Sequence, residues 1–286
     1  METLNKAFEL YVCDLNRREK KTVSSMERIW LRHIKDTLGK KNIKRIKRMD
    51  VVDLFYDISK SGKGIANRCI GIMSCTFDIA MRYEMVEQNP CKGIKRHPDI
   101  KRKRYCTQDE LKRIFSALET EKQNPRNRAS AQFIELLIWT GCRKGELASA
   151  TWNDLHGNHI ILEQHKSDDH DGPRVIHLND QAMAVINSLQ RTGTKLLPVN
   201  NPKGLWKKIK AQASIDDLRL HDLRHTFATQ GLQANLTLPE IGNLLGHKNP
   251  MTTMRYAHVM DETAKENVND IGNKIFNSIQ SSIKNY

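Results

Sequence analysis

HDLRHTFAT, residues 221–229, sets His221 and Arg224 three positions apart, so on a helix both side chains leave from one face. Leu220, Leu223 and Phe227 can then turn toward a core, and residues 220–233 are expected to be helical. A second helix follows over 238–245. Thr237 is its N-cap, Glu240 completes a capping box, Leu236 and Ile241 form a staple, and Gly246 ends it immediately before His247. Ten residues further on stands Tyr256, within GHKNPMTTMRYAHV at 246–259.

Upstream, Thr107-x-x-Glu110 opens a helix over about 108–121, and another over about 131–140 is stopped by Gly141. Just past that glycine, TGCRKGEL places Arg143 three residues before Glu146, which is able to orient the guanidinium. HIILEQHKSDDHDGPRVIHL, residues 159–178, is the one strand signal: two β-branched runs around a polar turn containing Asp171 and Gly172, with Lys166 near its tip. The expected architecture is mainly α with a small β-hairpin or sheet.

The N-terminal part reads as helical throughout. SSMERIWLRHIKDTLG (24–39) suggests a Ser24–Glu27 capping box and an end at Gly39, MDVVDLFYDISKSG (49–62) offers Asp50 as N-cap, and a longer helix covers 66–86. A Pro-broken basic run at 90–105 reads as a linker. The expected organisation is therefore a helical first domain at 1–89, the linker at 90–105, a second domain at 106–260 and a helical tail at 261–286. That tail carries a stripe at Val268, Ile271, Ile275, Ile279 and Ile283.

The formal charge of the 286 residues is +14. Most of it lies before residue 105, where 25 Lys and Arg face 13 Asp and Glu. Such asymmetry points to a polyanion held mainly by the first domain. The candidate phosphate contacts are the two densest runs: Lys41, Lys44, Arg45, Lys47 and Arg48, then Lys101, Arg102, Lys103 and Arg104. The six cysteines form no CxxC pair and suit a reducing compartment. The start lacks a signal-peptide pattern, and the most apolar run, FIELLIW, is too short for a bilayer. A cytoplasmic, DNA-associated protein is expected, with no membrane partner.

Arg143, Lys166, His221, Arg224, His247 and Tyr256 share one chemistry. Two arginines can clamp a phosphodiester and neutralise charge growing on it. A histidine can take a phenol proton, since a tyrosine with pKa around 10 is a poor nucleophile at neutral pH. A lysine can protonate the departing oxygen. With arginines supplying the charge, no metal or other cofactor is needed. Taken singly, each residue has a plainer reading: Tyr256 as a packing tyrosine, Arg143 and Arg224 as salt-bridge partners, Glu146 as structural, Trp152 as packing. His225 and His258 read as ordinary. The histidines at 156, 159, 165, 170 and 177 are too irregularly spaced to imply a metal.

Three ordered motifs, TGCRKGELASATWNDL (140–155), HDLRHTFAT and LLGHKNPMTTMRYAH (244–258), resemble those of the tyrosine recombinases, or phage-type integrases. The resemblance covers about 107–259. It implies Arg143, His221 and Arg224 as phosphate ligands, with His221 the proton acceptor. His247 is a further hydrogen-bond donor, Lys166 the acid on the hairpin, and Tyr256 the nucleophile. It further implies site-specific strand exchange on duplex DNA through a 3′-phosphotyrosyl intermediate, by a homotetramer whose protomers exchange the C-terminal segment, with accessory DNA-bending proteins as partners. Some relatives carry a further domain ahead of the helical one, for which this chain has no room, making it a simpler recombinase or a truncated one. Two other functions suit the same residues: a type IB-like topoisomerase, and an inactive DNA-binding protein of the same fold.

Overall fold

The computed structural model describes residues 2–20, 22–99, 102–163, 172–199, 201–257, 272–273 and 275. The chain divides into two compact units, Met1–Lys101 and Arg102–Tyr286.

In the first unit, α1 (Leu4–Arg17), α2 (Val23–His33) and α3 (Arg48–Ser61) pack around α4 (Lys63–Arg82). Ala66, Cys69, Ile70, Met73, Phe77 and Ala80 lie along one face of α4 and are all buried, forming the stripe on which this core packs. Trp30 of α2 stacks on Phe8 of α1 with ring centroids 3.9 Å apart, and its Nε1 donates to Asn5 Oδ1 at 2.9 Å.

Two caps differ from the sequence reading. Asp50 is the third residue of α3 rather than its N-cap, accepting from the Lys47 N–H at 2.8 Å, because Lys47 is the last extended residue (φ −96°, ψ 164°). Ser24 and Glu27 do not box the start of α2: Thr22 already has near-helical backbone angles (φ −90°, ψ −6°), which puts Ser24 inside the helix.

The second unit opens with α5 (Gln108–Lys122), capped by Thr107 and Glu110 as expected. α6 (Pro125–Thr140) begins earlier than its apolar pattern does, because Asn124 accepts from the Arg126 N–H at 3.0 Å and Pro125 suits the first helical position. After the short α7 (Lys144–Ser149) comes an antiparallel sheet in the order β1 (Leu155–His156), β2 (His159–Leu162), β3 (Arg174–His177). The expected hairpin is β2–β3, paired from His159↔His177 to Leu162↔Arg174. β1 joins through a tight turn at Gly157 (φ +58°) and was not legible as a strand.

Then follow α8 (Asp180–Asn187), α9 (Lys203–Gln212), α10 (Asp222–Gln233), α11 (Leu238–Leu245), α12 (Pro250–Thr253) and a 3-10 turn, Met254–Tyr256. The fold class is thus the expected one, mainly helical with a small sheet. α10 differs from the one-sided helix that its sequence suggests. It packs between α6 and α11, and Asp222, Leu223, Arg224, His225, Thr226, Ala228, Thr229 and Leu232 are all buried. Its polar side is therefore covered by protein as well.

Candidate active site

Two helix ends build the site. The last carbonyls of an α-helix have no intrahelical donor, and the helix dipole makes that end attractive to cations. α6 ends at Gly141 and α11 at Gly246, both left-handed, with φ +61° and +65°. Arg224 bridges the two ends: one guanidinium nitrogen donates to Gly141 O at 2.9 Å, the other to Leu245 O at 2.6 Å. Arg143, just beyond the α6 stop, reaches Gly246 O at 3.3 Å. Because 245 and 246 are consecutive, the two guanidiniums are held side by side.

Both glycines are also required by space. A Cβ at Gly141 would stand 2.6 Å from the Phe227 ring, and one at Gly246 would stand 2.7 Å from the guanidinium carbon of Arg174.

Glu146 orients Arg143 as expected. Its carboxylate accepts from Arg143 Nη1 at 2.5 Å and from the Arg143 N–H at 2.8 Å. It is shared with a residue that the sequence reading missed: Arg174 Nε stands 3.7 Å from Glu146 Oε2, and Arg174 Nη2 donates to Leu244 O at 2.8 Å. The signal was present. Arg174 occupies an inward position of β3, in register with buried Ile176, where a charge needs partners.

His247 follows the α11 stop and is fixed by a 2.8 Å hydrogen bond between its Nδ1 and Thr253 Oγ1. Burial, then Arg224, Arg143, Arg255 and Arg174, push its pKa down to about 4. His221 keeps an exposed edge, and partial desolvation and the cations Arg224, Arg255 and Arg143 lower its pKa, with Asp222 opposing.

Tyr256 is only 4% exposed, packed among Ala228, Leu232, Ile241 and Leu245. Burial raises its pKa, while Arg224 and Arg255 work the other way. Its hydroxyl meets not His221 but His225 Nδ1, at 2.6 Å. His221 instead meets the His225 ring edge-on, centroids 5.1 Å apart. His225, read from sequence as ordinary, is the second residue missed. Its signal was its place one turn beyond His221 on the same helix.

Arg143, His221, Arg224, His247 and Tyr256 are thus brought together; Lys166 and His258 lie outside the described residues. Of the basic runs, Lys41, Lys44, Arg45, Lys47 and Arg48 are exposed, flanking the buried Ile43 and Ile46. A groove of about 1060 Å³ in the first unit is bordered by Lys44, Lys47 and Arg48. Lys101 is outside the described residues. Arg104 is ion-paired with Glu110 and Asp217, and Arg102 with Asp217 and Asp222, so these two serve their own unit's carboxylates; Lys103 is exposed. His159 and His177 stack edge-on at 4.8 Å, yet among the described residues no group of three His, Cys, Asp or Glu is placed to hold a metal ion. No helix among the described residues is long and apolar enough to cross a membrane.

A mainly helical unit with a small antiparallel sheet, two clamped arginines and a histidine-bonded tyrosine define a class of phosphoryl-transfer domain, and comparison gives it a family. The phage integrase family profile matches residues 104–263. The chain belongs to that family, whose members are tyrosine recombinases. A tyrosine recombinase of Thermosipho africanus is 25% identical over 282 residues, covering 92% of this chain and 97% of the relative. Among solved structures, a lambda integrase dimer bound to a COC′ core site superposes with TM-score 0.71 at 18% identity, covering 87% of this chain and 97% of that one. A lambda integrase tetramer bound to a Holliday junction gives TM-score 0.69 at 18% identity, over 87% and 79% of the two chains.

Proposed function

We propose that this tyrosine recombinase exchanges DNA strands at specific sites with Arg143, His221, Arg224 and His247 as phosphate ligands and Tyr256 as nucleophile. One observation carries the reading: Arg143 and Arg224 hang from the carbonyls of consecutive residues, Gly246 and Leu245, at the helix end that also presents His247. Two guanidiniums fixed side by side can bind two oxygens of one phosphodiester and stabilise charge as the phosphorane forms. Tyr256 attacks phosphorus, the 5′ oxygen leaves with a proton from Lys166, and the 3′-phosphotyrosyl ester keeps the bond energy for rejoining, so no nucleotide cofactor is consumed.

Residues 1–89 supply phosphate contacts through Lys41, Lys44, Arg45, Lys47 and Arg48, with Lys101 and Lys103 continuing them along the linker at 90–105. Arg102 and Arg104 hold the start of the catalytic domain in place. Duplex DNA is the partner. The tetrameric assembly of the lambda integrase complex is the arrangement we expect on it, with the 261–286 segment, which falls almost wholly outside the described residues, docking on a neighbouring protomer and accessory DNA-bending proteins assisting.

The test uses full-length protein on supercoiled plasmids carrying sites recovered by sequencing junctions formed in cells. Site-dependent recombinants, with covalent protein–DNA adducts lost in Tyr256→Phe, support the reading. Site-independent relaxation would mean a topoisomerase-like activity, and adduct persisting in Tyr256→Phe would remove Tyr256 from the role.

A further inference from the structure

The hydroxyl of the tyrosine has a partner that the proposed roles leave unused. His225 follows Arg224 on α10 and is 7% exposed, its ring centroid 5.6 Å from that of Tyr256 and its Nδ1 2.6 Å from the tyrosine oxygen. Around the pair stand His221, Asp222, Arg224 and Arg255, and Arg102 and Lys103 line the narrow crevice that opens on it.

The neighbours favour the tautomer in which the phenol donates and Nδ1 accepts. Arg255, whose charge lowers the Tyr256 pKa, has donors only and cannot accept the phenol hydrogen, whereas His225 Nδ1 stands within hydrogen-bond reach of it. Burial, then His221 and Arg255, holds the imidazole pKa at about 4, so His225 is neutral and Nδ1 can carry a lone pair toward the phenol. A neutral acceptor at hydrogen-bond distance from the attacking oxygen meets the geometric condition for a general base.

We infer that His225 is a catalytic residue, taking the Tyr256 proton on cleavage and returning it on rejoining. The inference rests on Tyr256 being the nucleophile. As the O–H bond of Tyr256 breaks, its proton moves to His225 Nδ1, the tyrosine oxygen bonds to phosphorus, and the P–O5′ bond breaks with the 5′ oxygen protonated by the general acid. Rejoining reverses each transfer, so nothing is oxidised or consumed. Two of the groups that keep His225 neutral, His221 and Arg224, are among the proposed phosphate ligands, and the negative charge of the phosphodiester offsets them as the imidazolium forms. His221 then serves as a phosphate ligand rather than as the proton acceptor.

The experiment uses the full chain and a nicked suicide duplex built on the site recovered from cellular junctions. His225→Asn and His225→Ala are each prepared with Tyr256 and with fluorotyrosine at 256, whose more acidic phenol needs a base less. Melting and DNA binding are followed alongside to identify the variant that stays folded. We expect cleavage by the folded variant to slow by about 10²-fold or more. Fluorotyrosine should return at least roughly tenfold of that loss, while changing the His225 protein little. A purely structural role for His225 predicts no such return. Cleavage within a few-fold of the unmutated protein, or a slowed variant that fluorotyrosine does not help, overturns the proposal. Tyr256→Phe separates the two ideas: if it still forms adduct, the nucleophile is misassigned and the inference falls with it. If it forms none while the His225 variants cleave normally, the inference alone fails.

Discussion

Replacing Gly141 by alanine should damage stability and the phosphate clamp together. The new methyl would lie 2.6 Å from Cγ and Cδ1 of Phe227 and 2.9 Å from its Cβ, too close for any of them to stay in place. Holding an L-residue at φ +61° costs about 1–2 kcal/mol. Pushing a packed ring aside costs about 1–3 kcal/mol more. The sum, roughly 2–5 kcal/mol, corresponds to a fall in Tm of about 5–15 °C for a domain of this size. Displacing the Gly141 carbonyl also weakens its 2.9 Å hydrogen bond from Arg224. A hydrogen bond to a charged group contributes about 1.5–3 kcal/mol, so cleavage should drop by roughly 10- to 100-fold in protein that is still folded. Far-ultraviolet circular dichroism reports the melting, and suicide-substrate cleavage below the transition reports the clamp. Adding Phe227→Ala, which removes both ring atoms at 2.6 Å, should recover most of the steric share but not the backbone share, a coupling of about 1–3 kcal/mol in a double-mutant cycle. A Tm within about 2 °C of the parent, or no coupling to Phe227, would refute the reasoning.

Arg174→Met should cost on the order of 3 kcal/mol in denaturant unfolding, because buried Glu146 loses an ion-pair partner and the Leu244 carbonyl loses its donor; a neutral result would mean that Arg143 alone offsets the Glu146 charge. His225 and His247 are both held at about 4, below the ordinary histidine value, so the unfolded chain binds more protons than the folded one between about pH 4 and 6.5. Stability should therefore fall as pH drops through that window, by at most about 3 kcal/mol for His225, and His225→Asn should flatten the slope; equal slopes in the two proteins would contradict it. Replacing Lys44, Arg45 and Lys47 with alanine should reduce the slope of log affinity against log salt by about 0.9 per lost phosphate contact, and an unchanged slope would place that run off the DNA. Lys166→Ala should slow cleavage by about 10²–10⁴-fold and be rescued by a substrate with a 5′-thiolate leaving group; failure of the rescue would assign the acid elsewhere.

Where neighbouring residues in the chain set the structure, the sequence was readable. The Thr107–Glu110 and Thr237–Glu240 boxes and the stops at Gly141 and Gly246 are local, since each needs only side chains within one turn. Arg143, Arg224, His247 and Tyr256 could be picked out because each sits at or beside such a boundary or in an ordered motif. What escaped depended on distant partners. Asp50 looked like a cap, but burial of Ile43 and Ile46 fixes the path into α3 and moves the boundary to Lys47. Ser24 lost its box for a similar reason, with the helical path already begun at Thr22. β1 is two residues long and exists only through its pairing with β2. Arg174 and His225 acquire their meaning from Glu146 and Tyr256, which are remote in sequence and approach only once α10, α11 and the sheet have packed.

The anchoring of Arg224 on Gly141 O and Leu245 O has an evolutionary consequence. Main-chain acceptors cannot be deleted by a codon change. Whatever residue comes to occupy position 245, it brings the same oxygen, provided that the helix still ends there. The clamp is therefore insulated from drift at the very positions that hold it, and its vulnerability is concentrated in the few sites that set where the chain turns. A lineage could rewrite much of its surface, and with it the DNA sequence it prefers, without disturbing the orientation of its guanidiniums.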